Sequence, residues 1–159
     1  MFNELNRLLL QPDKTKLFVG IGNLLKMDDV VGVYISRKIK TKGAISSLTV
    51  EASIENYIGK INSLNPDILI LIDCMDMKGI PGTFKLMTLS QIQDLTFNTH
   101  NISLKRLSEF FRMPVYILGI QPGQISFGEN ISNIVKDVAD KIINQINKQE
   151  VHHGSRISL

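Results

Sequence analysis

Five aliphatic residues stand unbroken between two aspartates in the stretch Asp67 to Asp73, DILILID. A strand sends alternate side chains to opposite faces, so a run this apolar is tolerated only where both faces are buried. The stretch therefore predicts a central strand in a sheet covered on both sides, and with it an α/β fold.

The segments around it fit that frame. Leu17, Phe18 and Val19 read as a first strand, Ser47 to Glu51 as a second, and Val115 to Ile120 as the last. Thr83 to Thr88, TFKLMT, is shorter and more alternating, and no useful length of helix precedes it. It suits an edge strand open to antiparallel pairing. Between the strands, apolar residues recur at helical spacing. Val31, Ile35 and Ile39 form one such set, and Ile54, Ile58, Ile61 and Leu64 form another that ends at Asn65-Pro66. A third, with Ile102, Leu104, Leu107, Phe110 and Phe111, closes at Pro114, and the clearest runs from Ile131 to Ile146. Ser90 to Asn98 reads as a polar loop. The pattern predicts a three-layer αβα sandwich with a mostly parallel sheet of about five strands.

Residues 1–15 read as a short helix or arm that ends at Pro12, and residues 150–159, including His152 and His153, as a flexible tail without periodicity. With 43% of its 159 residues hydrophobic, the chain has material for one ordinary core, so 1–159 is expected to be a single domain. Its 18 basic and 15 acidic side chains leave a formal charge of +3, with no basic block interleaved with aromatics to mark a nucleic-acid face. The lone Cys74 excludes an internal disulfide framework and any CxxC site, which fits a reducing compartment. The first residues, MFNELNRLLLQPDK, fall short of a signal-peptide core or a membrane span. A cytoplasmic protein with no membrane partner is expected, working as a monomer.

Candidate chemistry gathers after the first strand. Gly20-Ile21-Gly22-Asn23 supplies a tight turn, and Asp28 and Asp29 fall where the next helix should begin. An aspartate there can cap the helix, and a second is favoured by the helix dipole, so structure alone can account for the pair. Alternatively Asp28 caps while Asp29 faces the crevice as a metal ligand or acid/base group. In an open α/β sheet, ligands bind outside the carboxyl ends of the strands, where successive connections diverge. Asp73 ends the third strand and His100 lies between the edge strand and the next helix, so Asp29, Asp73 and His100 could meet at one rim. Two carboxylates and an imidazole suit a borderline divalent cation such as nickel or zinc.

Other readings fare worse. Cys74 with His100 as its base would make a thiol nucleophile, but strand alternation turns Cys74 away from the face that Asp73 uses. Strand, GxG turn, helix and then Glu51 imitate a dinucleotide fold, yet Leu25 occupies the position of the third glycine and Asp28 and Asp29 would oppose a pyrophosphate.

Taken together, Gly20-Ile21-Gly22-Asn23 with Asp28-Asp29, Ser53-Ile54-Glu55-Asn56, Ile72-Asp73 with Pro81-Gly82, Thr99-His100-Asn101 and Leu118-Gly119-Ile120-Gln121-Pro122 resemble the hydrogenase maturation endopeptidases, most closely the HycI-like branch. The resemblance spans about Leu17 to Ile146. It implies an aspartic-type endopeptidase that removes a C-terminal extension from a NiFe hydrogenase large-subunit precursor once nickel is inserted. It also implies that Asp29, Asp73 and His100 bind that nickel, which the substrate supplies and for which zinc or another divalent ion can stand in. The chief alternative from another class is a non-catalytic nickel-binding maturation chaperone using the same three residues.

Overall fold

The computed structural model describes residues 2–24, 27–51, 53–92, 106–123 and 130–157. Its center is the apolar run: β3 (Ile68–Cys74) is buried at every position and is the middle strand of a five-stranded sheet. β1 (Lys16–Ile21) pairs with it in parallel on one side, and β2 (Ile45–Glu51) lies parallel beyond β1. On the other side come β5 (Val115–Ile120), parallel to β3, and then β4 (Phe84–Thr88), antiparallel to β5 at the edge. The order is β2-β1-β3-β5-β4.

Alternation along the strands sorts the core into two layers. Phe18, Ile70, Ile72, Leu118 and Ile120 face one cluster, which is covered by α1 (Phe2–Leu9), α2 (Val31–Lys38) and α5 (Asn133–Ile157). Val19, Leu69, Leu71 and Ile117 face the other, covered by α3 (Ile58–Leu64), the single turn α4 (Leu89–Ile92) and Phe111 and Met113. The sandwich thus has its three layers, with the antiparallel strand at the edge as its alternating composition predicts.

Three elements differ from expectation. The start of the polar stretch Ser90 to Asn98 is helical, in α4, where the Gln91 side chain accepts from the Thr88 N–H at 2.9 Å and closes the turn. The segment leading into α3 opens as a 3-10 turn over Ile54–Tyr57 before the α-helix proper, which ends at Asn65 in the left-handed region with φ 48°. Helix α5 continues past Glu150 to Ile157, beyond the point where apolar periodicity gives out. No helix among the described residues is long and apolar enough to cross a membrane.

Candidate active site at the carboxyl rim of the sheet

The chain leaves β1 for β2 on one side and returns to form β3 on the other, so the switch point lies between β1 and β3. Ligands of such sheets bind in the crevice at the carboxyl ends of the two strands. Two features shape this one. A bulge at the end of β1 pairs Gly20 with Thr49 and Ile21 with Glu51, placing Glu51 at φ 51° and giving its carbonyl to the Gly22 N–H at 2.9 Å. Helix α2 then crosses at unusually short range. A Cβ on Gly32 would lie 2.2 Å from the Ile72 oxygen and 2.3 Å from the Ile21 oxygen, and one on Gly20 would lie 2.3 Å from the Gly32 oxygen. Glycines on both elements let helix backbone touch sheet backbone, which holds the 3-10 turn Met27–Val30 directly over the crevice.

That turn carries the two acids, and they part company. Asp29 is half-buried and its Oδ2 accepts from the Asn23 N–H at 3.0 Å, across the glycine turn. This uses the amide that a pyrophosphate would need, and a Cβ on Gly22 would lie 2.2 Å from the backbone oxygen of Asp29, so the glycine turn is packed against the backbone of the Met27–Val30 turn rather than opened as a phosphate cradle. Asp73 is fully buried at the end of β3, with its Oδ1 accepting from the Cys74 N–H at 2.9 Å. Cys74 itself belongs to the layer beneath α2 and α5. Burial pushes its thiol well above the ordinary value, and the charges of Asp29, Asp73, Asp28 and Asp76, in that order, push it further. The same field keeps the thiol protonated, the wrong state for a nucleophile. Among the described residues no three His, Cys, Asp or Glu side chains form a metal-holding group. His100, the third member of the predicted trio, lies outside the described residues.

Asp28 corrects the sequence reading. It does not cap α2, whose N-cap position is Val30 with no side-chain hydrogen bond. It is fully buried and reaches instead to the far end of the chain. Its Oδ1 accepts from the Ser132 N–H at 2.6 Å, and its Oδ2 accepts from the Ser132 hydroxyl at 2.7 Å and the Gly123 N–H at 2.8 Å. Ser132 stands immediately before α5, whose first turn has no acidic residue of its own. Asp28 is thus a helix-terminal carboxylate, as its type suggests, but for the last helix and not the next one.

A second organiser, Gln121, enters the sequence reading only as one letter of a motif, without a role, because it looks like part of a turn. Only 6% exposed, it accepts through Oε1 from the Met77 N–H at 2.6 Å and the Gly79 N–H at 3.2 Å, and donates through Nε2 to Asp76 at 3.2 Å. The side chain pins the loop that follows Asp73. A buried amide at a strand end, followed by Pro-Gly, is the signal that could have found it.

The matches to known proteins agree with this layout. Over residues 24–149 the chain matches the HycI family of hydrogenase maturation proteases. A Methanocaldococcus jannaschii protein provisionally named a hydrogenase maturation protease is 32% identical over 150 residues, covering 84% of this chain and 86% of its own. The solution structure of the endopeptidase HycI from Escherichia coli superposes with a TM-score of 0.71 at 26% identity, covering 86% of this chain and 91% of that one. The crystal structure of a NiFe hydrogenase maturation protease HycI from Thermococcus kodakarensis shares the fold, with a TM-score of 0.78 at 22% identity over 92% of this chain and 97% of that one. On the match over residues 24–149 and the 32% identity to the Methanocaldococcus jannaschii protein, this chain belongs to the HycI family of hydrogenase maturation proteases and is a peptide hydrolase.

Proposed function

We propose that the protein removes the C-terminal extension of a NiFe hydrogenase large-subunit precursor after nickel insertion, in the cytoplasm, and that Asp29, Asp73 and His100 meet the nickel the precursor carries. The observation that supports this reading is placement: Asp29 lies in the turn Met27–Val30 that follows β1, and Asp73 lies at the end of β3, the two strands that flank the switch point. One oxygen of each is steadied by a backbone N–H, at 3.0 Å for Asp29 and 2.9 Å for Asp73. A backbone bond of this kind fixes the direction in which the carboxylate faces. Two acids held in this way fit an incoming borderline cation, and an imidazole completes a donor set that leaves positions open for the substrate's own ligands.

On this reading the metal is first a checkpoint. A precursor without nickel offers the two acids nothing to bind, so the peptide that follows the metal centre is not brought to the rim. Bound nickel would also polarise a neighbouring carbonyl, a second and smaller role. Incubating nickel-loaded precursor with the protein and weighing the product tests the proposal. A trimmed subunit is expected from the wild type and an untrimmed one from folded Asp29→Asn, Asp73→Asn or His100→Ala. Metal transferred with no peptide bond cut would instead establish the chaperone.

A further inference from the structure

Asp29 sits in the turn Met27–Val30 and Asp73 in β3, and that turn and the loop that follows β3 are both tied to residues 121–123 at the exit of β5. Gln121 holds Met77 and Gly79 in the loop after Asp73, and two positions later the Gly123 N–H is given to Asp28 in the turn that carries Asp29. Ser132 grips the same Asp28 carboxylate with its N–H and its hydroxyl. Asp28 is fully buried and adjoins Asp29 in one short 3-10 turn, so the bonds that hold its carboxylate also anchor the turn that carries Asp29. The donors to Asp28 belong to two residues, Gly123 and Ser132, 95 and 104 positions away, which makes the arrangement a strut between elements rather than a local cap.

We propose that Asp28 is a positioning residue for the cleavage reaction: with Ser132 and Gly123 it sets the place of Asp29 relative to Asp73, while touching no substrate itself. The proposal rests on the function given above. The charge is what suits aspartate to the task, because its two oxygens accept three donors at once, and an amide, which keeps one acceptor oxygen, cannot. Geometry at a reacting centre is steep in its effect, since a misplacement of about 1 Å can cost ~100-fold in rate.

The test removes one donor and leaves the others. Ser132→Ala deletes the hydroxyl bond at 2.7 Å but retains both backbone N–H bonds, so the strut loosens without leaving the carboxylate bare. Tyr34→Phe is the matched control: the Tyr34 hydroxyl donates to Asp140 at 2.6 Å and also ties α2 to α5, but away from the rim. Cleavage of nickel-loaded precursor is measured for each, well below its melting temperature and normalised to folded protein. Ser132→Ala is expected to lose about tenfold in kcat/KM, Ser132→Thr to recover to within about twofold of wild type, and Tyr34→Phe to match wild type. A purely structural strut would make Ser132→Ala and Tyr34→Phe alike, each less stable and each fully active once folded, and that result overturns the proposal. A Ser132→Thr variant no better than alanine also overturns it. If the wild type itself makes no cut, the proposed function has failed, and the positioning role falls with it.

Discussion

Replacing Gly32 by alanine adds a single carbon where α2 crosses the sheet, and its cost follows from the distances. That carbon would stand 2.2 Å from the Ile72 oxygen and 2.3 Å from the Ile21 oxygen. Both belong to the backbone of inner strands held on either side by ladder pairing, so neither turns aside. Restoring a 3.0 Å approach from 2.2 Å moves α2 outward by about 0.8 Å, the difference of the two. Such a shift opens the seam that Val31 and Ile35, both wholly buried, now fill. Overpacking costs ~1–3 kcal/mol, and a clash with fixed backbone belongs at the upper end, about 3 kcal/mol. Alanine returns up to ~1 kcal/mol as the better helix former. The clash wins, leaving a net loss of about 2 kcal/mol. For a chain of this length each kcal/mol moves Tm by ~2–4 °C, so a fall of ~4–8 °C is expected by calorimetry. The displacement also travels into the turn Met27–Val30 that holds Asp29, and cleavage of the nickel-loaded precursor should drop by ~10–100-fold. An alanine variant that melts with the wild type and cuts at its rate would refute the close-approach argument.

Gly59 gives the opposite outcome, because nothing lies within 4 Å of a Cβ placed there in exposed α3. Gly59→Ala should stabilise the protein by ~0.5–1 kcal/mol in a urea titration, and a loss would show that the open space is illusory. Cys74→Ala should cleave at the wild-type rate, and in the wild type the thiol should resist alkylation at neutral pH until denaturant is added, since burial and four nearby carboxylates favour its protonated form. Rapid labelling of the native protein would reopen the thiol mechanism. Burial, reinforced by the bond to Asp140, raises the Tyr34 phenol from 10.0 to about 12. A raised value means the folded state holds the proton more tightly, so this contribution is complete below pH 10 and is lost as the pH climbs through about 12. Denaturation midpoints across that range should fall less steeply for Tyr34→Phe than for wild type, and equal slopes would contradict the assignment.

The difference between what could be read from the chain and what could not is a difference in the range of the forces involved. DILILID announces a central strand because burial on two faces constrains every residue of the run, so the signal is repeated five times within one stretch. Asp73 was visible because a charge closing such a run is out of keeping with it. Asp28 was visible only as a type. A carboxylate suited to a helix start looks the same whether the helix is three residues ahead or, as here, 104 residues away at Ser132. Gly32 lies between. Glycine inside a helix costs ~1 kcal/mol against alanine, so its presence early in α2, after apolar Val30 and Val31, already argues for a close approach. What the glycine cannot say is which backbone it meets, and the answer, the ends of β1 and β3 together, is what sets the site. The residues that bear charge at the rim are therefore legible one by one, whereas those that fix their spacing are chosen by partners that only the fold brings near. If that spacing is what makes the acids effective, variants of Gly32, Ser132 and Gln121 should lower cleavage while leaving every charge of the site in place.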